Sequence, residues 1–176
     1  MALVVFLRGV NVGGHKAFRP STLPERLKHL DVVSIGAAGT FVIRRPVARA
    51  QLRAELTRQL PFEAEIIICD GREIARLVSH AHFADHPVRP DVVRFVSLLS
   101  RRPRSTPSTP MLFPPSGKWL LKILTRDDRF VIGLYRRDMK VIGYLGALDR
   151  LFGVSATTRN WNTILAISRV LGEGGS

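Results

Sequence analysis

Apolar and polar positions alternate with two different periods along this chain, and the change of period marks its elements. Ala2 to Leu7 is apolar at every position, which predicts a central strand covered on both faces. Leu23, Leu27 and Leu30 recur at helical spacing behind Thr22-Leu23-Pro24-Glu25, a capping-box pattern with proline in the first turn. Val32 to Ile35 and Phe41 to Arg44 are short strands joined across Gly36-Ala37-Ala38-Gly39, as in a hairpin. A second helix opens at Pro46, carries Ala48, Leu52, Leu56 and Leu60 on one face, and stops at Pro61. Glu65 to Cys69 is a fourth strand, Asp70-Gly71 turns the chain, and a third helix covers Arg72 to Ser79. The order β-α-β-β-α-β is the ferredoxin-like arrangement, in which the first and third strands are central; both are apolar here.

A second α+β half with an antiparallel sheet restarts at Pro90. Val92 to Leu99 is a strand, and Arg101 to Pro115 reads as a loop rich in Pro, Ser, Thr and Arg. Trp119 to Leu124 and Phe130 to Tyr135 form a hairpin across Arg126-Asp127-Asp128-Arg129, and Met139 to Ile142 adds a short strand. Tyr144 to Phe152 is a helix closed by Gly153, and a last helix runs from Arg159 to Leu171 with Thr157 or Thr158 as its N-cap. The expected division is therefore residues 1–83 and 84–176, two small halves expected to pack together because each core alone is marginal.

Composition narrows the class. No apolar run approaches the roughly 20 residues that cross a bilayer, and the start lacks a signal peptide's features. The single cysteine, Cys69, excludes an internal disulfide and fits a reducing, cytoplasmic setting. The formal net charge of +13 points to an anionic partner, but the charge is spread over both halves. Most basic residues are Arg, whose codons are GC-rich, so charge alone defines no nucleic-acid groove.

Two stretches carry candidate chemistry. Leu7-Arg8-Gly9-Val10-Asn11-Val12-Gly13-Gly14-His15-Lys16 joins a strand to a helix. It fits neither a P-loop nor a dinucleotide fingerprint, yet its glycines permit close approach of backbone N–H groups to an anion, with Arg8 and Lys16 supplying charge. Near the other end, Thr157-Thr158-Arg159-Asn160-Trp161-Asn162-Thr163 places Arg159 and Asn160 in the first turn of the last helix, where free N–H groups favour an anion. Trp161 with Ile164 and Leu165 forms that helix's core face. His80, His82 and His86 have the pattern H-x-H-x3-H, but on a helix the first two diverge and no nearby Cys completes a set, so no metal is expected. There is no G-x-S-x-G elbow, no catalytic carboxylate pair and no plausible nucleophilic thiol, and the third strand, Thr40-Phe41-Val42-Ile43, has one aromatic and no RNA-recognition signature.

The two end motifs together resemble the signatures of a mostly bacterial family, the domain of unknown function numbered 1697, and the similarity extends through Trp119 to Tyr135 and Tyr144 to Phe152. The resemblance implies an α+β protein with a ferredoxin-like first half and no established activity. Ala38-Gly39-Thr40 stands where members often carry Ser-Gly-Asn, and members commonly lack the histidine cluster. The functional expectation is a non-catalytic binding protein for a phosphorylated small molecule or a nucleic-acid backbone. Its site would lie in a cleft between the halves, lined by Arg8, Asn11, Gly13, Gly14, Lys16, Thr158, Arg159 and Asn160. The alternative is an enzyme acting on a phosphorylated metabolite with His15 as general base.

Overall fold

A computed structural model describes residues 2–9 and 19–173. The first compact unit comprises residues up to Ser79 together with the chain from Leu165 onward. It contains β1 (Leu3–Arg8), α1 (Leu23–Arg26), β2 (Val32–Ile35), β3 (Thr40–Ile43), α2 (Arg49–Gln59), β4 (Glu65–Asp70) and α3 (Gly71–Ser79). The sheet order is β2-β3-β1-β4 with every neighbouring pair antiparallel, so the two apolar strands β1 and β3 are indeed the inner ones. On one face, Val5, Leu7, Phe41, Ile43 and Ile68 pack with Leu23, Leu27, Leu30, Leu52 and Leu56. Each of these leucines contributes on the order of 2 kcal/mol by leaving water. Val4, Phe6, Val42 and Cys69 on the alternate positions are also buried.

The capping box does not form. Thr22 ends a three-ten turn (Pro20–Thr22), and its hydroxyl donates back to the Arg19 carbonyl (2.8 Å) instead of capping. The predicted helix is thus a short α-turn followed by a second three-ten turn at Lys28–Leu30, although its three leucines are buried as expected. Edge strand β4 is covered by arginines of α2: Arg49 donates to the Ile68 carbonyl (3.1 Å) and Arg53 to that of Ile66 (2.7 Å).

At the start of β2, Arg44 donates to the Asp31 carboxylate at 2.9 Å, and this bond is the main cause holding Asp31 below the usual carboxylate range. A carboxylate lowered by folding stabilises above its unfolded value, and that contribution fades as pH falls through the lower folded value. Asp31→Asn, which tolerates the left-handed backbone here (φ 50°), is expected to flatten the acid limb of stability below about pH 4, read from urea melts across pH. An acid limb identical in the variant would refute the pairing.

The second compact unit is His80–Ile164. It contains β5 (Val92–Leu99), β6 (Met111–Phe113), β7 (Leu121–Asp127), β8 (Phe130–Arg136), α4 (Val141–Gly146), α5 (Leu148–Phe152) and β9 (Ala156–Asn160). Its sheet, ordered β6-β7-β8-β5-β9, is antiparallel throughout. Phe95, Leu99, Leu121, Ile123 and Val131 on one face pack with Val141, Leu148 and Phe152. The last helix, α6 (Trp161–Glu173), begins in this unit and ends in the first. The expected α+β class with two antiparallel sheets is what the chain adopts.

Four local expectations differ. The Pro-rich loop contains strand β6, paired with β7. The hairpin turn is two residues, Asp128-Arg129, with Asp128 left-handed (φ 54°), so β7 continues to Asp127. Met139 to Ile142 is not a strand: the Asp138 carboxylate accepts from the Lys140 N–H (2.9 Å) and its carbonyl from the Val141 N–H (3.1 Å), which starts α4. Residues 156–160 form edge strand β9 rather than a cap and first helical turn. Gly153 closes α5 in the left-handed region as expected (φ 69°).

Candidate functional site

Strand β9 decides where the C-terminal motif points its side chains. Its partner pairs with β5 are Val96 with Arg159, Ser97 with Thr158 and Leu98 with Thr157. Side chains alternate across a strand, so Thr157 and Arg159 share one face with Val96 and Leu98, and Thr158 lies on the other. Thr158 is neither N-cap nor helical; its hydroxyl shares a 2.6 Å hydrogen bond with Ser97. The cap is Asn160, whose Oδ1 accepts from the Thr163 N–H at 2.8 Å and from the Thr163 hydroxyl at 3.0 Å. Asn160→Ala is expected to lower stability by about 1 kcal/mol in urea denaturation, and Asn160→Asp to retain it. Equal loss in both variants would contradict the capping role.

Arg159 precedes the helix. Its guanidinium is largely withdrawn from water and donates to the Thr158 carbonyl at 2.9 Å. Burial lowers its pKa to about 10, so it stays charged at neutral pH in a setting that disfavours the charge. Two residues away, Thr157 is 4% exposed, and its Oγ1 has no hydrogen-bond partner among the described residues. Arg94, two positions before Val96, lies on the same sheet face. It donates to the His86 carbonyl (2.5 Å) and sits 5.2 Å over the Phe83 ring, while its Nε is buried without a partner among the described residues. Sequence reading did not select Thr157 or Arg94 for this role; only the strand register shows that they share a face with Arg159.

In the first unit, Arg8 ends β1 and its Nη1 is 3.6 Å from Glu65 Oε2, the residue opposite it on β4. Gly9 is left-handed (φ 87°), as the expected glycine-dependent bend requires. Asn11, Gly13, Gly14, His15 and Lys16 lie outside the described residues.

The histidine pattern takes an unexpected form. His80 and His82 lie just beyond α3, as the expected end of that helix at Ser79 places them, but their ring centroids are only 5.6 Å apart. Trp161 is partly exposed and meets the Phe83 ring edge-on at 5.1 Å. Among the described residues no helix is long and apolar enough to cross a membrane.

Comparison with known proteins bears on the fold. A solved structure of a conserved bacterial protein from Streptococcus pneumoniae is similar, with a TM-score of 0.61 at 16% identity, covering 97% of this chain and 98% of that one. No curated protein matches. A family model described as "Protein of unknown function (DUF1697)" matches residues 1–110. The match takes in the glycine-rich stretch, the whole first sheet and β5, and with it the chain belongs to that family.

Proposed function

We propose that this chain is a non-catalytic protein that binds an anionic ligand through the face of β9 that carries Arg159. The supporting observation is the pairing on one strand face of a desolvated guanidinium with a buried Thr157 hydroxyl that has no partner among the described residues. A buried hydroxyl without a partner is unfavourable by about 1–3 kcal/mol, and a phosphate oxygen would accept from it and from Arg159 together. Arg94 adds a second cation on that face. Arg8, Asn11, Gly13, Gly14 and Lys16, singled out by the sequence, are proposed as a separate donor group, which Lys16→Ala tests apart from β9. The ligand is a phosphorylated small molecule or a nucleic-acid backbone.

A thermal-shift series tests this with pyrophosphate, nucleotides, phosphorylated sugars and short single-stranded DNA and RNA. At least one anion is expected to raise the melting temperature of the wild-type protein, by linkage, and to lose that effect in Arg159→Gln. A nucleic-acid ligand would show affinity falling steeply with salt, whereas a small phosphorylated ligand would not show that slope. Equal shifts in wild type and Arg159→Gln for every anion would overturn the proposal.

A further inference from the structure

We propose that His80, His82 and Asp127 form a binding site for a divalent metal ion of the zinc class. This inference is independent of the anion-binding reading. One ligand atom from each residue, a ring nitrogen of each histidine and a carboxylate oxygen of Asp127, lies within 4.8 Å of the other two. Zinc bonds of about 2.0–2.2 Å bring such atoms to roughly 3.5 Å separations, so closure needs movement of about 1 Å. His80 is the exposed member of the three, so closure draws its ring toward the other two ligands. The other two ligands are anchored. Asp127 is the last residue of β7, opposite buried Phe130, and the two-residue turn beyond it sets its register. His82 meets the Trp161 ring edge-on at 6.3 Å and is followed by Phe83, which is buried against the same ring. The backbone around it is held by hydrogen bonds from the Ala84 N–H to the Ala81 carbonyl (3.3 Å) and from the His86 N–H to the Phe83 carbonyl (3.0 Å).

Ligand type selects the ion. Two imidazoles with one carboxylate suit zinc and its neighbours in the transition series, whereas magnesium and calcium require oxygen ligands. Three protein ligands leave a position open to water or to another donor. The set differs from the H-x-H-x3-H pattern, from which no metal was expected: Asp127, distant in sequence, joins His80 and His82 in place of His86, whose backbone carbonyl is held by Arg94.

Calorimetric titration of the chelator-stripped full chain with Zn2+ tests the site, with Mg2+ as control and Co2+ absorption bands as a direct readout of imidazole ligation. One Zn2+ per chain is expected, with proton release on binding and no detectable Mg2+ binding. His80→Ala and Asp127→Asn are each expected to weaken Zn2+ binding at least tenfold. Both positions are accessible enough that circular dichroism should confirm an intact fold; His82→Gln serves as a third variant that retains side-chain bulk beside Trp161. Absence of Zn2+ binding by the wild type, or an affinity unchanged in His80→Ala and Asp127→Asn, overturns the assignment.

Discussion

Gly133→Ala is expected to destabilise the protein by about 3 kcal/mol or more, the upper part of the range for an overpacked core. Gly133 lies in the middle of β8, between Phe95 on β5 and Ile123 on β7. A methyl group there would meet the Lys122 carbonyl oxygen at 2.4 Å and the Phe95 ring at 2.7 Å. Neither neighbour can yield freely. The carbonyl belongs to the sheet ladder, and Phe95 is fully buried at the centre of the second core. The glycine is therefore a packing requirement, not a turn device, and its backbone is extended like the rest of the strand. Phe95→Leu in the Gly133→Ala background should recover part of the loss by vacating ring space, with the carbonyl contact remaining. Urea denaturation of the two single variants and the double variant measures that coupling. A Gly133→Ala protein as stable as wild type would show that the packing described around β8 is wrong.

Arg159→Met is expected to do two opposite things: to raise the stability of the ligand-free protein by about 1–3 kcal/mol, and to lower affinity for the bound anion at least tenfold. The cause is the desolvation of the guanidinium. A base whose pKa falls to about 10 on folding is disfavoured in its charged form, and each pKa unit corresponds to about 1.4 kcal/mol. At neutral pH the group is charged in both folded and unfolded chains, so the folded state carries that penalty. The penalty eases only as pH rises past the folded value. Methionine keeps much of the stem's volume without the charge, so removal should relieve the fold. Loss of the hydrogen bonds that Arg159 makes, that to the Thr158 carbonyl among them, works against this gain. A residue that weakens the fold while improving binding is what a ligand site produces. Destabilisation by Arg159→Met with binding unchanged would instead make Arg159 a structural brace for the edge strand.

How much of this was legible follows from the kind of signal each element carries. Strand β1 needed only its unbroken apolar run, and the central place of β1 and β3 followed from topology and burial together. Helix α4 was hidden because Val141-Ile142 has strand-like residues, while the deciding feature was Asp138 closing a turn just before them. Ile142 is in fact 66% exposed while Val141 is buried. The Thr-Thr-Arg-Asn stretch suits both a helix start and an edge strand. β-Branched threonines pair with β5, and the cap moves along to Asn160. That shift of element also changes the site, because it puts Thr157 beside Arg159 and turns Thr158 toward Ser97. The cluster of His80, His82 and Asp127 could not be read from spacing, since the carboxylate arrives by way of a hairpin whose turn length sets its position.

Arginine side-chain NMR gives the most direct test of the central claim, that Arg159 and Thr157 jointly receive an anion. Pyrophosphate is titrated into uniformly 15N-labelled protein while the Arg159 Nε–H and Thr157 amide signals are followed. Both signals should move along a common saturating curve, at concentrations where exposed arginines such as Arg102 and Arg137 stay still. Movement of the exposed arginines alone, with Arg159 and Thr157 unchanged at saturation, would contradict the account.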